Sequence, residues 1–454
     1  MFYLSAPKFT GKSCLEVNSY IFLLQGTEMK THQNKVIESA VSASVQKAVD
    51  AVPLDEINVS DPSLFQSNSI WAYFERLRNE DPVHYCKESD FGPFWSITKY
   101  KDIMEVEMAP EVFSSATENG GITIIDDNLG LGVEMFIAMD NPKHDGQRKA
   151  VNPMLSAATL ARLEDTIRER TRNVLNELPI GETFNWVERV SIELTTLMLA
   201  TLFDFPLEDR KLLTHWSEVA TAMPGAANYV SDEYKEQELG KCLEYFTRLW
   251  NERAKLPPAP DFISMMAHSG ATNKMTPNQF LGNLVLLIVG GNDTTRNSMT
   301  GSVLAMSQNP DQYKKLCANP ELVDSMVPEV IRWQTPLASM RRTAVADYEL
   351  GGKQIKKGDK VIMWYASANR DEESIETPEE FIIDRRRPRQ HLAFGFGIHR
   401  CLGNRLAEMQ IRVLWEEILK RWPEPSIDVV GEPKRVYSCI LRGYEALPVR
   451  INPK

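Results

Sequence analysis

The chain has 454 residues, 43% hydrophobic and 25% charged, with too few glycines and prolines for a low-complexity chain; this is the composition of a globular protein with room for a large core. Its formal net charge of -11 argues against general binding to nucleic acid or to an anionic membrane, since both reward a basic surface. No apolar run approaches the roughly 18 residues of a membrane span, and six scattered cysteines without a C-x-x-C pair form neither a disulfide framework nor a zinc site, but suit a reducing cytoplasm.

In chain order, the first 28 residues lack a signal peptide's long apolar stretch and cleavage site, and Met29 stands as a second start. Residues 1–50 read as an N-terminal tail, partly disordered, that runs into a polar helical stretch near 35–50; residues 51–454 read as one large α-rich unit. Trp71 to Leu77 predicts a helix, and Phe91-Gly92-Pro93-Phe94-Trp95-Ser96-Ile97-Thr98 a turn and a strand.

From about residue 140 to 330 the pattern is mostly helical, broken at clusters such as Leu256-Pro257-Pro258-Ala259-Pro260. Near its start, His144 and Arg148 stand four apart and face one way from a helix, which places two donor or cationic groups together. Thr276-Pro277 is a start signal for a helix that continues to Asn309-Pro310 and is long enough to cross a domain. Its middle, Gly290-Gly291-Asn292-Asp293-Thr294-Thr295, is a poor helix former that can open a groove and leave hydroxyl and carboxyl groups beside it. Glu329 and Arg332 then share a helix face and can pair.

Strand character returns at Tyr348 to Ile355 and Lys360 to Trp364, with Gly351-Gly352 supplying a turn, so that a small sheet is expected there. With no internal repeat and no long linker, the fold class is mainly α with small β-sheets in a single domain.

The most specific segment is Phe394-Gly395-Phe396-Gly397-Ile398-His399-Arg400-Cys401-Leu402-Gly403, followed by Asn404-Arg405-Leu406-Ala407-Glu408. Its glycines let backbone approach a flat ligand, and a helix starting near Cys401 aims amide donors and a positive dipole end at the sulfur. Both effects favour thiolate over thiol. Other readings of the same residues are a dinucleotide loop with Arg400 in place of the third glycine, a cysteine nucleophile with His399 as base, and a buried structural cysteine, against which the glycine pattern argues.

These ten residues resemble the haem-binding loop of the cytochromes P450, and Glu329-Val330-Ile331-Arg332 and Asp140-Asn141-Pro142-Lys143-His144-Asp145-Gly146-Gln147-Arg148 are similar to two further motifs of that family. The resemblance implies the P450 fold, haem b as cofactor, Cys401 as axial ligand of the iron, Phe394 shielding the sulfur, and His144, Arg148, Arg342 and His399 contacting the haem propionates. An anionic sulfur ligand favours O–O bond cleavage. Oxygen activation needs protons delivered in an apolar pocket, and Asp293 and Thr294 match the family's acid-threonine pair.

Segments such as Val133 to Asp140 and Ile331 to Leu337 resemble the soluble bacterial branch that hydroxylates terminal methyl groups of medium-chain alkanes and fatty acids. Candidate lining residues are apolar and imply an apolar substrate: Leu131, Val133, Met135, Phe136 and Ile137, then Leu286 and Val289, then Leu337, Ile440 and Leu441. The alternatives are a wider pocket for a terpenoid or steroid, or a haem sensor or carrier without turnover, for which a proton relay would be idle. The chain carries about 50 residues after Cys401 and no flavin or nicotinamide module, so electrons are expected from a ferredoxin and its reductase, docked on Arg385, Arg386, Arg387, Arg389, Arg400 and Arg405. A cytoplasmic location is expected, with no nucleic-acid partner and no membrane span.

Overall fold

The computed structural model describes residues 44–126 and 133–452. The expected tail as far as residue 43, and the candidate pocket residue Leu131, lie outside them. Helices α1 (Pro62–Gln66) and α2 (Ile70–Glu80) lead into strands β1 (Val83–Cys86) and β2 (Phe94–Ile97), then helix α3 (Tyr100–Met108) and strand β3 (Phe113–Ser114). The helical body follows: α4 (Lys143–Val151), α5 (Ala157–Asn176), α6 (Glu193–Leu202), α7 (Lys211–Thr221), α8 (Asp232–Arg253), α9 (Phe262–His268), α10 (Pro277–Gln308), α11 (Pro310–Ala318) and α12 (Val323–Gln334), with β4 (Thr183–Asn185), a π-helix (Val187–Ile192) leading into α6, and short turns between them. Strands β5 (Met340–Ala344), β6 (Tyr348–Leu350), β7 (Lys353–Ile355) and β8 (Lys360–Met363) precede α13 (Tyr365–Ala368) and α14 (Asn404–Arg421), and β9 (Ile427–Val429), β10 (Lys434–Arg435), β11 (Tyr444–Ala446) and β12 (Pro448–Ile451) close the chain.

Helix α10 organises the body. Its start is set locally: the Thr276 side chain accepts from the Gln279 N–H while the Gln279 side chain accepts from the Thr276 N–H, and Pro277 occupies the first turn. Its 32 residues span about 48 Å at 1.5 Å per residue. Most of its length is buried, because α6, α7, α8, α12 and α14 all pack on it. At its N-terminal end Gly282 lies so close to the Glu134 carbonyl that an added Cβ would stand 2.1 Å from the oxygen, and Asn283 accepts from the Phe136 N–H at 2.9 Å. The segment before α4 is thereby pinned to the long helix.

The strands do not form the small sheet that the glycine turn suggests. Gly351 and Gly352, at φ +55° and +75°, close a two-stranded hairpin of β6 and β7, whereas β8 enters a separate five-stranded sheet of order β1-β2-β8-β5-β3. The physical reason is burial: all four residues of β8 are buried, so it belongs between neighbours rather than at an exposed edge. Strand β1, which pairs antiparallel with β2, has a sequence, Val83-His84-Tyr85-Cys86, too short to stand out.

One buried ion cluster ties the C-terminal half together. Arg332 grips Glu329 through two bonds of 2.7 Å, and both side chains are 0% exposed. Its remaining donors reach the carbonyls of Asn369, Pro378 and Glu380 at 2.9, 2.8 and 3.1 Å. Arg385 approaches the same carboxylate at 3.0 Å and is 8% exposed. The expectation that Arg385 belongs to a docking patch is corrected accordingly, since its charge is spent inside on Glu329. Replacing Glu329 by Gln leaves two arginines without a counter-charge and is expected to cost about 3–5 kcal/mol, read as a lowered denaturant midpoint. Arg385→Gln, at the edge of the cluster, costs less.

Candidate active site

Cys401 sits at the end of a loop whose shape is set by its glycines. Gly395 and Gly397 have φ +64° and +62°, a region that costs other residues strain. At Gly397 an added Cβ would also stand 2.3 Å from the Glu107 carbonyl oxygen. The loop closes on itself through the Cys401 N–H, which donates to the Phe394 carbonyl at 2.8 Å. Helix α14 begins three residues beyond Cys401, as its position in the sequence suggests. Burial pushes the Cys401 thiol up, while the Gly403 N–H and the charges of Arg148 and Arg400 pull it down.

The carboxylate of Glu107, on α3, holds this loop from beneath. It accepts from the Phe396 N–H at 3.0 Å and from the Tyr365 hydroxyl, and it faces Arg342 at 3.8 Å. Its side chain is 1% exposed. Sequence reasoning missed this residue, although a signal existed: Glu107 falls on the apolar face of α3 with Ile103 and Val106, where a carboxylate needs a reason.

The cationic residues predicted for the site converge on one wall. His399 Nε2 meets the Ser115 hydroxyl at 2.9 Å, and the rings of His144 and His399 stand edge to face, 4.4 Å apart. Burial, then Arg342, His144 and Arg148, hold His399 down to about 2; burial also lowers His144. Arg148 donates to the Arg400 carbonyl at 2.6 Å. On β5, side chains alternate: Arg342 shares a face with Met340, which lines the cavity, whereas Arg341 turns away to Asp126 at 2.7 Å. Asp140 supports the wall from behind, accepting from the Ser115 N–H at 2.9 Å and the Ser114 hydroxyl at 2.5 Å. No signal in the sequence paired these serines with Asp140.

Above Cys401 opens a cavity with about 1310 Å³ of space not filled by protein atoms, part of it open to solvent. Helix α10 crosses it with Leu286, Leu287, Gly290 and Thr294, and a Cβ at Gly290 would meet nothing within 4 Å. Thr294 reaches the cavity, its hydroxyl donating to the Gly290 carbonyl at 2.9 Å. Asp293 points the other way: its carboxylate pairs with Arg296 at 2.6 Å and accepts from Ser217 at 3.0 Å.

Of the candidate pocket residues, Leu337, Phe136, Ile137 and Leu286 line the cavity. Met135, Val289 and Ile440 do not. Met135 packs into a small core with Ile122, Val133 and Ala138, Val289 against Ala220, Leu239 and Val285 on another face of α10, and Ile440 into the core around Trp364. Val133 and Leu441 are core as well. Periodicity cannot tell such positions apart, because a buried helix or segment has two apolar faces. The lining residues Ile331, Pro336, Met340 and Ala393 carry no mark of their own.

The site fits haem. Among the described residues, His144 Nε2 and His399 Nδ1 are buried without a hydrogen-bond partner, a rare state that calls for one; Arg148 and Arg342 would add positive charge for two propionates, and Cys401 opens onto a mostly apolar slot. The family model for cytochrome P450 matches residues 64–424. The chain belongs to the cytochrome P450 family. Haem b is therefore its cofactor, and monooxygenation with O2 its activity. This P450 is 36% identical to the linalool 8-monooxygenase of Pseudomonas putida, over 88% of this chain and 100% of the relative. It is 34% identical to the steroid C26-monooxygenase of Mycobacterium tuberculosis, over 85% and 90%. Among solved structures it is similar to CYP153D17 from Sphingomonas sp. PAMC 26605, 49% identical with a TM-score of 0.83 over 88% and 100% of the chains. Cytochrome P450-153 from Novosphingobium aromaticivorans is 44% identical with a TM-score of 0.81 over 87% and 99%. No helix among the described residues is long and apolar enough to cross a membrane.

Two variants test the support beneath the thiolate. Glu107→Gln weakens its hold on the Phe396 N–H and is expected to move part of the reduced carbon monoxide band from the thiolate to the thiol position. Gly397→Ala should do the same and lower the melting temperature. A full thiolate band in both variants would remove the support assigned to Glu107.

Proposed function

We propose that this P450 hydroxylates the terminal methyl group of a medium-chain alkane or fatty acid. The observation that carries the reading is the wall of the cavity above Cys401: Phe136, Ile137, Leu286, Leu287, Leu337 and Met340 are apolar, with Thr294 as a hydroxyl in their midst. Such a lining recognises hydrocarbon by excluding water and orients it by shape alone. The names of the relatives agree with attack at a chain end, since carbon 8 of linalool and carbon 26 of a steroid side chain are both terminal methyl carbons. The first of them also favours a second reading, a terpene alcohol as substrate.

When bound, haem supplies the activation of dioxygen and the oxidation of the C–H bond. The chain's own residues do the rest. Cys401 would hold the iron with an anionic sulfur, while Arg148 and Arg342 would anchor the propionates by charge and His144 and His399 by hydrogen bond. Thr294 Oγ1 is the group that passes a proton into the apolar cavity. Asp293 supplies it from behind α10, which requires its carboxylate to leave Arg296. Electrons come from a ferredoxin with its reductase. Arg386, Arg387, Arg389, Arg400 and Arg405 are exposed and give an acidic donor a basic face, with Arg389 partly engaged by Glu408 at 3.0 Å.

Titrating octane, dodecanoic acid and a monoterpene alcohol while following the haem spin state ranks the readings: the linear substrates are expected to bind more tightly. A response confined to the terpene would overturn the alkane assignment in favour of the second reading. Thr294→Ala is expected to lower product formed per oxygen consumed severalfold while substrate still shifts the spin state; unchanged coupling would remove the role given to this hydroxyl.

A further inference from the structure

A second recess lies away from the active-site cavity, where the C-terminal part of α10, the end of α12 and the β10 and β11 hairpin meet. It has about 630 Å³ of space not filled by protein atoms, part of it open to solvent, and its polar wall carries three guanidinium groups, Arg370, Arg435 and Arg442. No acidic residue lines it, nor the smaller recess that adjoins it through Arg435 and Arg442.

The three arginines differ in how they are satisfied. Arg370 is paired with Glu379 and lies over the rings of Trp333 and Trp71, 3.9 and 4.4 Å from their centroids. Arg442 also lies over Trp71, at 4.3 Å, and donates to the Gln334 carbonyl, but has no ion pair among the described residues. Arg435 has neither an ion pair nor a side-chain hydrogen bond among them. Ring faces hold the arginine side chains in place without neutralising them. Burial, and then the charges of Arg370 and Arg435, hold Arg442 down to about 9 against the opposing pull of Tyr444. In a chain of net charge -11, two uncompensated arginines facing one recess are not explained by overall charge. Amides complete the wall: Gln334 is fixed by donating to the Arg442 carbonyl at 3.1 Å and accepting from the Tyr444 hydroxyl at 3.0 Å, and Asn68 and Gln308 stand beside it.

We propose that this recess binds a small oxyanion, a carboxylate or phosphate group, held between Arg435 and Arg442. Guanidinium groups suit both anions because their paired N–H donors match two oxygens at once. The assignment is independent of the substrate proposed for the haem cavity.

The test uses the full haem-loaded chain. Inorganic phosphate and citrate are each titrated by calorimetry at an ionic strength held constant with potassium chloride, with the melting temperature followed in parallel, since a ligand that binds only the folded state raises it. A saturable signal and a raised melting temperature are expected. Phosphate alone would identify a phosphate ligand, citrate alone a carboxylate, and both the shared oxyanion chemistry. In Arg435→Gln, which breaks no bond within the protein, affinity should fall about tenfold or more, the worth of one charge-assisted hydrogen bond. Arg442→Lys, which keeps charge but loses the planar fork, should weaken binding less than Arg435→Gln. Absence of saturation beyond the chloride control, or equal affinity in Arg435→Gln, overturns the proposal.

Discussion

Glu329 is a single carboxylate buried between two guanidinium groups, and the course of the chain around it follows from the cost of burying charge. Arg332 is fully buried and has five N–H donors to satisfy. The bonds that remain after Glu329 is gripped go to three carbonyls between residues 369 and 380, and Arg385 arrives on the other side of the same carboxylate. The stretch after α13 therefore has little freedom: it must run where its carbonyls cap Arg332. From there it leads directly into the loop that presents Cys401.

The same physics recurs at the loop itself. A sulfur that is to bind metal has to face an open slot, so the backbone around it cannot use that side for hydrogen bonds. Glu107 and the Phe394 carbonyl satisfy it from the other side. By also approaching Arg342, Glu107 links the support of the Cys401 loop to the wall of His144, Arg148, Arg342 and His399. Among the described residues, two imidazole nitrogens are left without partners on that wall, where an added group could meet them.

Helix α10 has the opposite task, to border the cavity without filling it. Gly290 keeps the surface open, Gly291 lets α6 approach on another side, where a Cβ would stand 2.7 Å from Leu199 Cδ2, and Thr294 offers a hydroxyl tied back to its own helix. Neighbouring positions of one helix thus divide between the cavity and the protein behind it. Asp293 and Thr294 are adjacent in sequence and face different surroundings for this reason.

The sequence by itself determined the ligand loop, the pair Glu329 and Arg332, the start and end of α10 and the mainly helical class, because each depends on local rules: glycine conformations, capping, residues three or four apart on one helix face. It also brought His144, Arg148, Arg342 and His399 together through the family resemblance. Only the tertiary structure decided what comes from distant parts of the chain. Glu107 beneath Cys401, Arg385 on Glu329 instead of at the surface, β8 inside the five-stranded sheet, and Leu337 on the cavity wall while Met135, Val289 and Ile440 pack into core all depend on which neighbour lies across the interface. Hydrophobic pattern says that a residue is buried; it carries no information on whether the space opposite is another side chain or a cavity, and only packing settles that.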